Sequence, residues 1–197
     1  MADDIKKRTI EMKKESVLKA AIRQFAEKNY DATTMGEIAR EANVSFGSVS
    51  TYFGNKEELF MACIVQPLED FSKSLLDFNT SPISYREEIQ TFILKHFELF
   101  STQKVYLRLL VQVTGQYKRF SEAFKVVNAH TEKLNNKVSQ LIVNGQQAKQ
   151  LSEGNADKIA IAYVSLLFGL RLSYADYPSL ENWNQFAEIS MRLFGPK

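Results

Sequence analysis

The segment TTMGEIAREANVSFGSVSTYFGNKEEL, residues 33–59, has the pattern of two short helices joined by a tight turn and followed by a third helix. Thr34 is a candidate N-cap for the first helix, and Glu37 three residues later completes a capping box. Asn43 stands where the chain must reverse, and asparagine tolerates the left-handed backbone that such a turn requires. Ser45 is placed to cap the second helix. The segment therefore predicts a helix-turn-helix unit.

The second helix of this unit is predicted to bury Val49 and to turn small side chains outward. Gly47 costs roughly 1 kcal/mol in a helix interior, and this cost is understandable if another molecule must approach the backbone there. A short helix with such a surface suits insertion into the major groove of DNA. The residues of this unit predicted to contact DNA are Thr34, Ser45, Phe46, Gly47, Ser48, Ser50 and Thr51.

Basic residues stand on both sides of the unit. Lys56 opens the third helix beside Tyr52, where backbone N–H groups and the positive end of the helix dipole favour phosphate. Upstream, residues 5–23 hold seven lysines and arginines against two glutamates. A basic N-terminal arm can lie along phosphates or reach into the minor groove, and the alternative is a solvated terminus that only aids solubility. The flanking residues predicted to contact DNA are Lys6, Lys7, Arg8, Tyr52 and Lys56.

Twelve positions between residues 38 and 59 follow the pattern I-A-x-x-A-x-V-S-x-G-x-V-x-x-Y-F-x-x-K-E-x-L without a gap. This pattern resembles the DNA-binding domain of the TetR (tetracycline-repressor-like) family of bacterial transcription regulators, over roughly residues 15–62. Asn29 and Asn43 replace glycines common in that family, and Ser50 replaces a position that is commonly a large side chain. The resemblance implies a transcription regulator whose subunits pair through their last two helices into a four-helix bundle.

Length and composition fit a helical protein of one large or two small domains, because 197 residues with 45% hydrophobic content can fill a sizeable core. The single Cys63 cannot form an internal disulfide, which suits a reducing cytosol. The charged N-terminus lacks the apolar core of a signal peptide, and the apolar run at 159–170 is shorter than the ~20 residues of a membrane helix. We expect a cytoplasmic protein with no membrane partner.

The predicted fold is all-α, with two domains. Residues 1–55 form an N-terminal basic arm and a helix-turn-helix DNA-binding domain of three helices, and residues 56–197 form a helical ligand-binding and dimerisation domain. Helical spacing of apolar residues predicts further helices at about 56–78, 85–100, 105–113, 120–143, 156–175 and 180–194, with a loop at 144–155.

The last pair of predicted helices is apolar on more than one side, and such a helix must be buried on both faces. In a small protein this favours a partner subunit, and Gly169 would allow close helix approach. A twofold dimer places its two recognition helices roughly 34–36 Å apart, so the operator should be a palindrome in double-stranded DNA. The predicted interface residues of the homodimer are Leu166, Gly169, Leu170, Phe186, Ile189 and Leu193.

Aromatic residues are frequent in the predicted body, where most of them serve as core, although ligand pockets in helical bundles are lined in the same way. A buried Arg171 needs a carboxylate, either from a ligand or from Asp176 or Glu188. The predicted effector is a small apolar or amphipathic molecule, such as a drug-like compound, a fatty acid or its acyl thioester. The residues predicted to bind it are Phe71, Phe97, Tyr106, Leu110, Val113, Phe124, Tyr163 and Arg171.

Signatures of catalysis are missing from the sequence: His96 and His130 are isolated, and no phosphate loop, dinucleotide fingerprint or metal-ligand spacing occurs. We therefore predict no enzyme activity, no metal and no cofactor. The predicted function is a dimeric repressor that a small apolar ligand releases from its operator, although activation stays open. The alternatives are a TetR-like protein that organises DNA or recruits a partner without small-molecule control, and a helical enzyme with a vestigial DNA-binding head.

Overall fold

A computed structural model describes residues 2–174 and 180–197, with side chains for residues 4–170 and 184–197. Nine helices follow one another in this part of the chain, and the predicted all-α fold is confirmed. Within these described residues no helix has the length and apolarity needed to cross a membrane. The helices are α1 (Ala2–Ala32), α2 (Met35–Glu41), α3 (Phe46–Phe53), α4 (Lys56–Leu75), α5 (Tyr85–Thr102), α6 (Lys104–Gly115), α7 (Ser121–Gln147), α8 (Ala156–Tyr174) and α9 (Leu180–Phe194).

Two segments differ from the sequence-based prediction. The residues predicted as an N-terminal arm are part of the helix α1, which begins at Ala2. The predicted loop at 144–155 is wrong in its first part, because α7 continues to Gln147. Asn144 lies inside that helix, where its Nδ2 donates to the carbonyl oxygen of Thr80 at 2.8 Å. Its polarity serves a tertiary hydrogen bond, which sequence pattern alone does not separate from a loop signal.

The chain forms two compact units. The first unit comprises Met1–Leu68 and Val105–Phe124, and the second comprises Glu69–Lys104 and Lys125–Lys197. Helix α6, from Val105 onward, therefore lies in the same unit as the helix-turn-helix, although it follows the predicted domain boundary at residue 56. Tyr106 Oη donates to the carbonyl oxygen of Ile64 at 2.7 Å, and Gln112 Nε2 donates to that of Phe25 at 2.9 Å. These bonds join α6 to α4 and to α1 within the first unit.

Apolar side chains fill the interior of each unit. In the first unit the fully buried residues include Val17, Ala21, Phe25, Ile38, Val49 and Leu59. Cys63 is also buried there, and its burial raises the pKa of the thiol, so the group is chemically quiet. In the second unit α5 packs against α8 and α9, and its buried residues include Ile89, Phe92, Leu141, Tyr163 and Phe194.

A histidine lies in the interior of the second unit. His96 Nε2 is 2.7 Å from the carbonyl oxygen of Leu75, and its Nδ1 is 2.8 Å from Tyr163 Oη. Because a carbonyl oxygen can only accept, Nε2 carries the proton and Nδ1 accepts from the tyrosine hydroxyl. Burial lowers the pKa of His96 to about 4, so the ring is neutral in the folded protein. His96 is therefore a hydrogen-bonded core residue.

Candidate nucleic-acid interface

Helix α2 is held at its start by the predicted capping box. Thr34 Oγ1 accepts from the backbone N–H of Glu37 at 3.2 Å, and the Glu37 carboxylate accepts from the backbone N–H of Thr34 at 3.0 Å. Lys28 Nζ on α1 donates to the same carboxylate at 2.9 Å. The hydrogen bonds from Lys28 and Thr34 lower the pKa of Glu37 to about 2. The Thr34 side chain is thus part of the structural cap as well as a predicted DNA contact.

The turn between α2 and α3 has the backbone conformation that its sequence predicts. Asn43 has φ of 54°, in the left-handed region, and the backbone N–H of Val44 donates to the carbonyl oxygen of Ala39 at 3.0 Å. Ser16 Oγ on α1 donates to the carbonyl oxygen of Ala42 at 3.1 Å and so anchors the turn. The turn therefore fixes the direction in which α3 leaves α2.

Helix α3 is oriented by one buried side chain and one cap. Val49 is fully buried, and Ser45 Oγ accepts from the backbone N–H of Ser48 at 3.1 Å, as the sequence predicts for an N-cap. The Phe46 side chain, in the first turn of the helix, is 60% exposed. A Cβ atom added at Gly47 would meet no protein atom closer than Ser45 Oγ at 3.9 Å. The outward face of α3 is therefore open to a partner, and internal packing does not require the glycine.

The start of α4 has fewer free hydrogen-bond donors for a phosphate than the sequence predicts. Asn55 Oδ1 accepts from the backbone N–H groups of Glu57 and Glu58 at 2.9 and 3.0 Å, so these two donors are already satisfied. Lys56 Nζ lies 3.3 Å from the carbonyl oxygen of Asp31 and 4.4 Å from the centre of the Tyr30 ring. The lysine is thus engaged within the first unit, and its contact with DNA stays a prediction, as does that of the half-buried Tyr52.

The predicted basic arm is exposed, although it is helical. Lys6, Lys7 and Arg8 all lie on the surface of the first turns of α1. Further along α1, Arg23 forms an ion pair of 2.9 Å with Glu41 of α2. The last part of α1 therefore braces α2 electrostatically, whereas its first part presents positive charge on a helical surface instead of an extended arm.

The residues predicted to bind a ligand do not share one unit. Phe71, Phe97 and Tyr163 are buried in the second unit, Tyr106, Leu110 and Val113 are buried in the first, and Phe124 is half-buried in the first. The Arg171 side chain lies outside the described residues. Tyr106 and Tyr163 use their hydroxyl groups in the internal hydrogen bonds given above. Gln112, whose amide is bonded to α1, is also a structural residue.

Sequence reasoning missed a surface cleft in the first unit. It has a volume of about 240 Å³, and its lining includes Tyr30, Glu57, Met61, Arg119 and Glu122. None of the residues predicted for ligand binding lines it. The cleft joins α1, α4 and the α6–α7 turn, which are far apart along the chain, so local pattern gives no signal for it. Among the described residues no group of three or more histidines, cysteines or carboxylates is placed to hold a metal ion.

Comparison with known proteins identifies the first unit. Residues 17–63 match the family model of bacterial regulatory proteins of the tetR family. The chain is similar to an uncharacterised HTH-type transcriptional regulator, YhgD of Bacillus subtilis, with 28% identity over 97 residues, which are 49% of this chain and 51% of that protein. It is also similar to IcaR of Staphylococcus aureus, the HTH-type negative transcriptional regulator of the biofilm operon icaADBC, with 27% identity over 108 residues. That match covers 55% of this chain and 57% of IcaR, so the similarity spans about half the length of the curated relatives.

Similarity to solved structures extends over nearly the whole fold. A bacterial regulatory protein of the tetR family from Rhodococcus RHA1 has a TM-score of 0.77 and 21% identity, covering 94% of this chain and 98% of that one. AibR, solved in complex with isovaleryl coenzyme A and operator DNA, has a TM-score of 0.74 and 15% identity. That match covers 94% of this chain and 100% of the AibR chain. Together with the capped helix-turn-helix described above, these similarities show that residues 17–63 are a helix-turn-helix segment of the tetR-family type and that the fold resembles that of tetR-family regulatory proteins.

Proposed function

We propose that this protein is a dimeric transcriptional repressor that binds a palindromic operator through α3 and leaves it when a small apolar or amphipathic ligand binds. The observation that carries the DNA-binding part is the open outward face of α3, where Phe46 is exposed and a Cβ atom at Gly47 would have Ser45 Oγ, at 3.9 Å, as its nearest neighbour. The buried Val49, on the side of the helix opposite Gly47, holds α3 in the core. A rigidly held helix with an unobstructed face is what major-groove insertion requires.

Exposed apolar residues on α8 and α9 support the dimer. Ile189 is 49% exposed, and Ile161 and Leu193 are exposed as well, although these two helices pack against each other within the second unit. Leu166, Gly169 and Phe186 are half-buried along the same helices. Leu170 is only 6% exposed and offers little surface to a second subunit. Apolar residues repeated along two neighbouring helices are typical of a subunit interface.

The proposed ligand class rests on similarity and on the composition of the interior. AibR binds an acyl coenzyme A thioester in its solved complex, and IcaR is a negative regulator. By analogy we assign this protein a ligand with an apolar chain. Because Tyr106 and Tyr163 already have hydrogen-bond partners, such a ligand must find its polar contacts elsewhere or displace those bonds.

Release from DNA follows from differential binding to two states of the dimer. The ligand-free dimer holds its α3 helices at operator spacing, and the ligand prefers a different spacing. Typical allosteric coupling of about 1–3 kcal/mol corresponds to roughly a 5- to 150-fold change in operator affinity. This range sets the sensitivity that a release assay must reach.

Selection of DNA sites from a random pool, with the purified protein at fixed salt, tests the DNA-binding part. A palindrome with half-sites about one helical turn apart supports a sequence-specific dimer. Absence of any enriched sequence would contradict the proposal and favour a protein that organises DNA without sequence preference.

The selected operator, carrying a fluorescent label, then serves to test release. Isovaleryl coenzyme A, longer acyl coenzyme A thioesters and free fatty acids are titrated into the complex, and direct binding of each compound is measured by calorimetry. A compound that binds and lowers operator affinity at least fivefold supports the induction part. If every compound that binds leaves operator affinity unchanged, the induction part is wrong.

A further inference from the structure

The recognition helix lacks the side chains that make strong polar contacts with bases. Residues 46–53 read FGSVSTYF and contain no arginine, lysine, asparagine, glutamine, aspartate or glutamate. Bidentate contacts to guanine come from arginine or lysine, and those to adenine come from asparagine or glutamine. The helix α3 therefore cannot make either of these contacts with its own side chains.

Several hydroxyl groups at this helix are already bonded within it. Ser45 Oγ and Ser48 Oγ are 2.8 Å apart and share a hydrogen bond, and Ser45 Oγ also accepts from the Ser48 backbone. Thr51 Oγ1 donates to the carbonyl oxygen of Gly47 at 2.8 Å. This bond turns the Thr51 hydroxyl toward the helix backbone and leaves its methyl group for the exposed surface. The half-buried Ser50 is thus the remaining small hydroxyl on α3.

The outward surface of α3 is consequently apolar at two places. The exposed Phe46 ring stands at the first turn, and the Thr51 methyl group stands one turn after Gly47, whose backbone has no side chain above it. In the major groove the apolar feature that distinguishes one base pair from another is the C5-methyl group of thymine, which phenylalanine and the threonine methyl can contact.

We propose that this protein reads its operator chiefly through thymine methyl groups, with Phe46 and Thr51 as the specificity-determining residues. The inference rests on the proposed function, because it assumes that α3 enters the major groove. It assigns each half-site at least one essential thymine whose O4 needs no protein partner. A·T preference that came instead from the minor groove would not depend on the methyl group, which lies in the major groove.

The direct test changes the DNA and leaves the protein untouched. In the selected operator each thymine is replaced, one symmetric pair at a time, by deoxyuridine, which lacks only the C5-methyl group. Loss of one buried methyl group should weaken binding about fourfold, and loss from both half-sites should weaken it about fifteenfold. Replacing guanine by 7-deazaguanine, which removes an acceptor that arginine and lysine use, should have a smaller effect.

Variants of the protein assign the contact. Thr51→Ser removes the methyl group and keeps the hydroxyl that bonds to Gly47, and Phe46→Ala removes an exposed ring that supports no core. For each variant there should be one thymine of the half-site whose replacement by deoxyuridine no longer changes the affinity. Thr91→Ser is the matched control, because Thr91 is exposed on α5 and bonds in the same way to the carbonyl oxygen of Glu87 at 2.8 Å. It should discriminate as the parent protein does.

The possible outcomes separate this inference from the proposed function. The inference is supported if deoxyuridine substitution weakens binding of the parent protein and has no effect on binding of Phe46→Ala or Thr51→Ser. A selected palindrome that tolerates deoxyuridine at every thymine, or that depends more on 7-deazaguanine positions, overturns it and leaves the operator-binding function intact. If no DNA sequence is selected, the proposed function fails first and the inference falls with it.

Discussion

Arg119, in the turn between α6 and α7, forms a bidentate ion pair with Asp31 at the end of α1. Its Nη1 lies 2.7 Å from Asp31 Oδ2, and its Nη2 contacts the other carboxylate oxygen. The guanidinium carbon also lies 5.3 Å from the centre of the Tyr30 ring and 5.2 Å from that of Phe120. The pair thus joins residues 88 positions apart and fixes the α6–α7 turn to the end of α1 within the first unit.

The ion pair predicts a measurable pKa for Asp31. The hydrogen bond from Arg119 lowers the pKa of the carboxyl group below its ordinary value. The pair therefore stabilises the folded protein at pH values above the ordinary pKa of aspartate, and this stabilisation is lost as the pH falls through the lowered pKa. Arg119→Gln should raise the pKa of Asp31, which NMR titration of its carboxyl carbon measures. Lys118→Gln, at the neighbouring exposed position, is the control and should leave this pKa unchanged. An equal pKa in the parent protein and in Arg119→Gln would contradict the pairing.

The buried His96 predicts acid sensitivity of the fold. Its folded pKa of about 4 lies below the ordinary value of about 6.5, so the unfolded chain binds more protons between these pH values. The free energy of unfolding should therefore fall as the pH decreases from about 6.5 to about 4, with a limiting slope of about 1.4 kcal/mol per pH unit from this residue.

Urea unfolding at several pH values measures this effect. His96→Gln offers an amide in place of the ring and cannot titrate, so its free energy of unfolding should depend less on pH. The control is His130→Gln, because His130 is only half-buried and should contribute less. A pH dependence in His96→Gln as steep as in the parent protein would refute the assignment.

Gly47→Ala should change stability and DNA binding in opposite directions. Alanine favours a helix over glycine by roughly 1 kcal/mol, and the new Cβ meets no close protein neighbour, so the free energy of unfolding should rise by about 0.5–1 kcal/mol. Operator affinity should decrease, because the Cβ would stand on the face of α3 that we propose enters the major groove. Gly115→Ala, at an open position in α6, serves as the control and should leave operator affinity unchanged. Unchanged affinity in Gly47→Ala would show that this face of α3 does not meet DNA closely.

Ile189→Glu should separate the proposed dimer, because a buried, unpaired carboxylate is strongly unfavourable in an apolar interface. Sedimentation equilibrium should give the mass of one chain, and operator affinity should fall at least tenfold because two half-sites are no longer bound together. The matched control is Ile83→Glu, since Ile83 is 98% exposed and lies outside α8 and α9. A dimer that persists in Ile189→Glu would place the interface elsewhere.

Local signals in the sequence were sufficient for the helix-turn-helix. The capping box of Thr34 and Glu37 and the cap at Ser45 join residues three positions apart, and Asn43 has the positive φ that its place in the turn predicts. Asn29 also has a positive φ of 71°, at a position where the family commonly has glycine. Such short-range interactions need no knowledge of distant residues, and the periodicity of apolar side chains gave most of the other helix boundaries.

Long-range hydrogen bonds and ion pairs came only from the tertiary structure. Gln112 and Tyr106 are bonded to backbone atoms 87 and 42 residues away, and these bonds put α6 in the first unit. Lys56 contacts the carbonyl oxygen of Asp31, 25 residues earlier on α1, and the ring of Tyr30. The residue type of a polar side chain does not show whether it binds a ligand or forms a hydrogen bond with a buried carbonyl group. Only folding, which brings distant backbone groups within hydrogen-bond distance, determines which of these roles it takes.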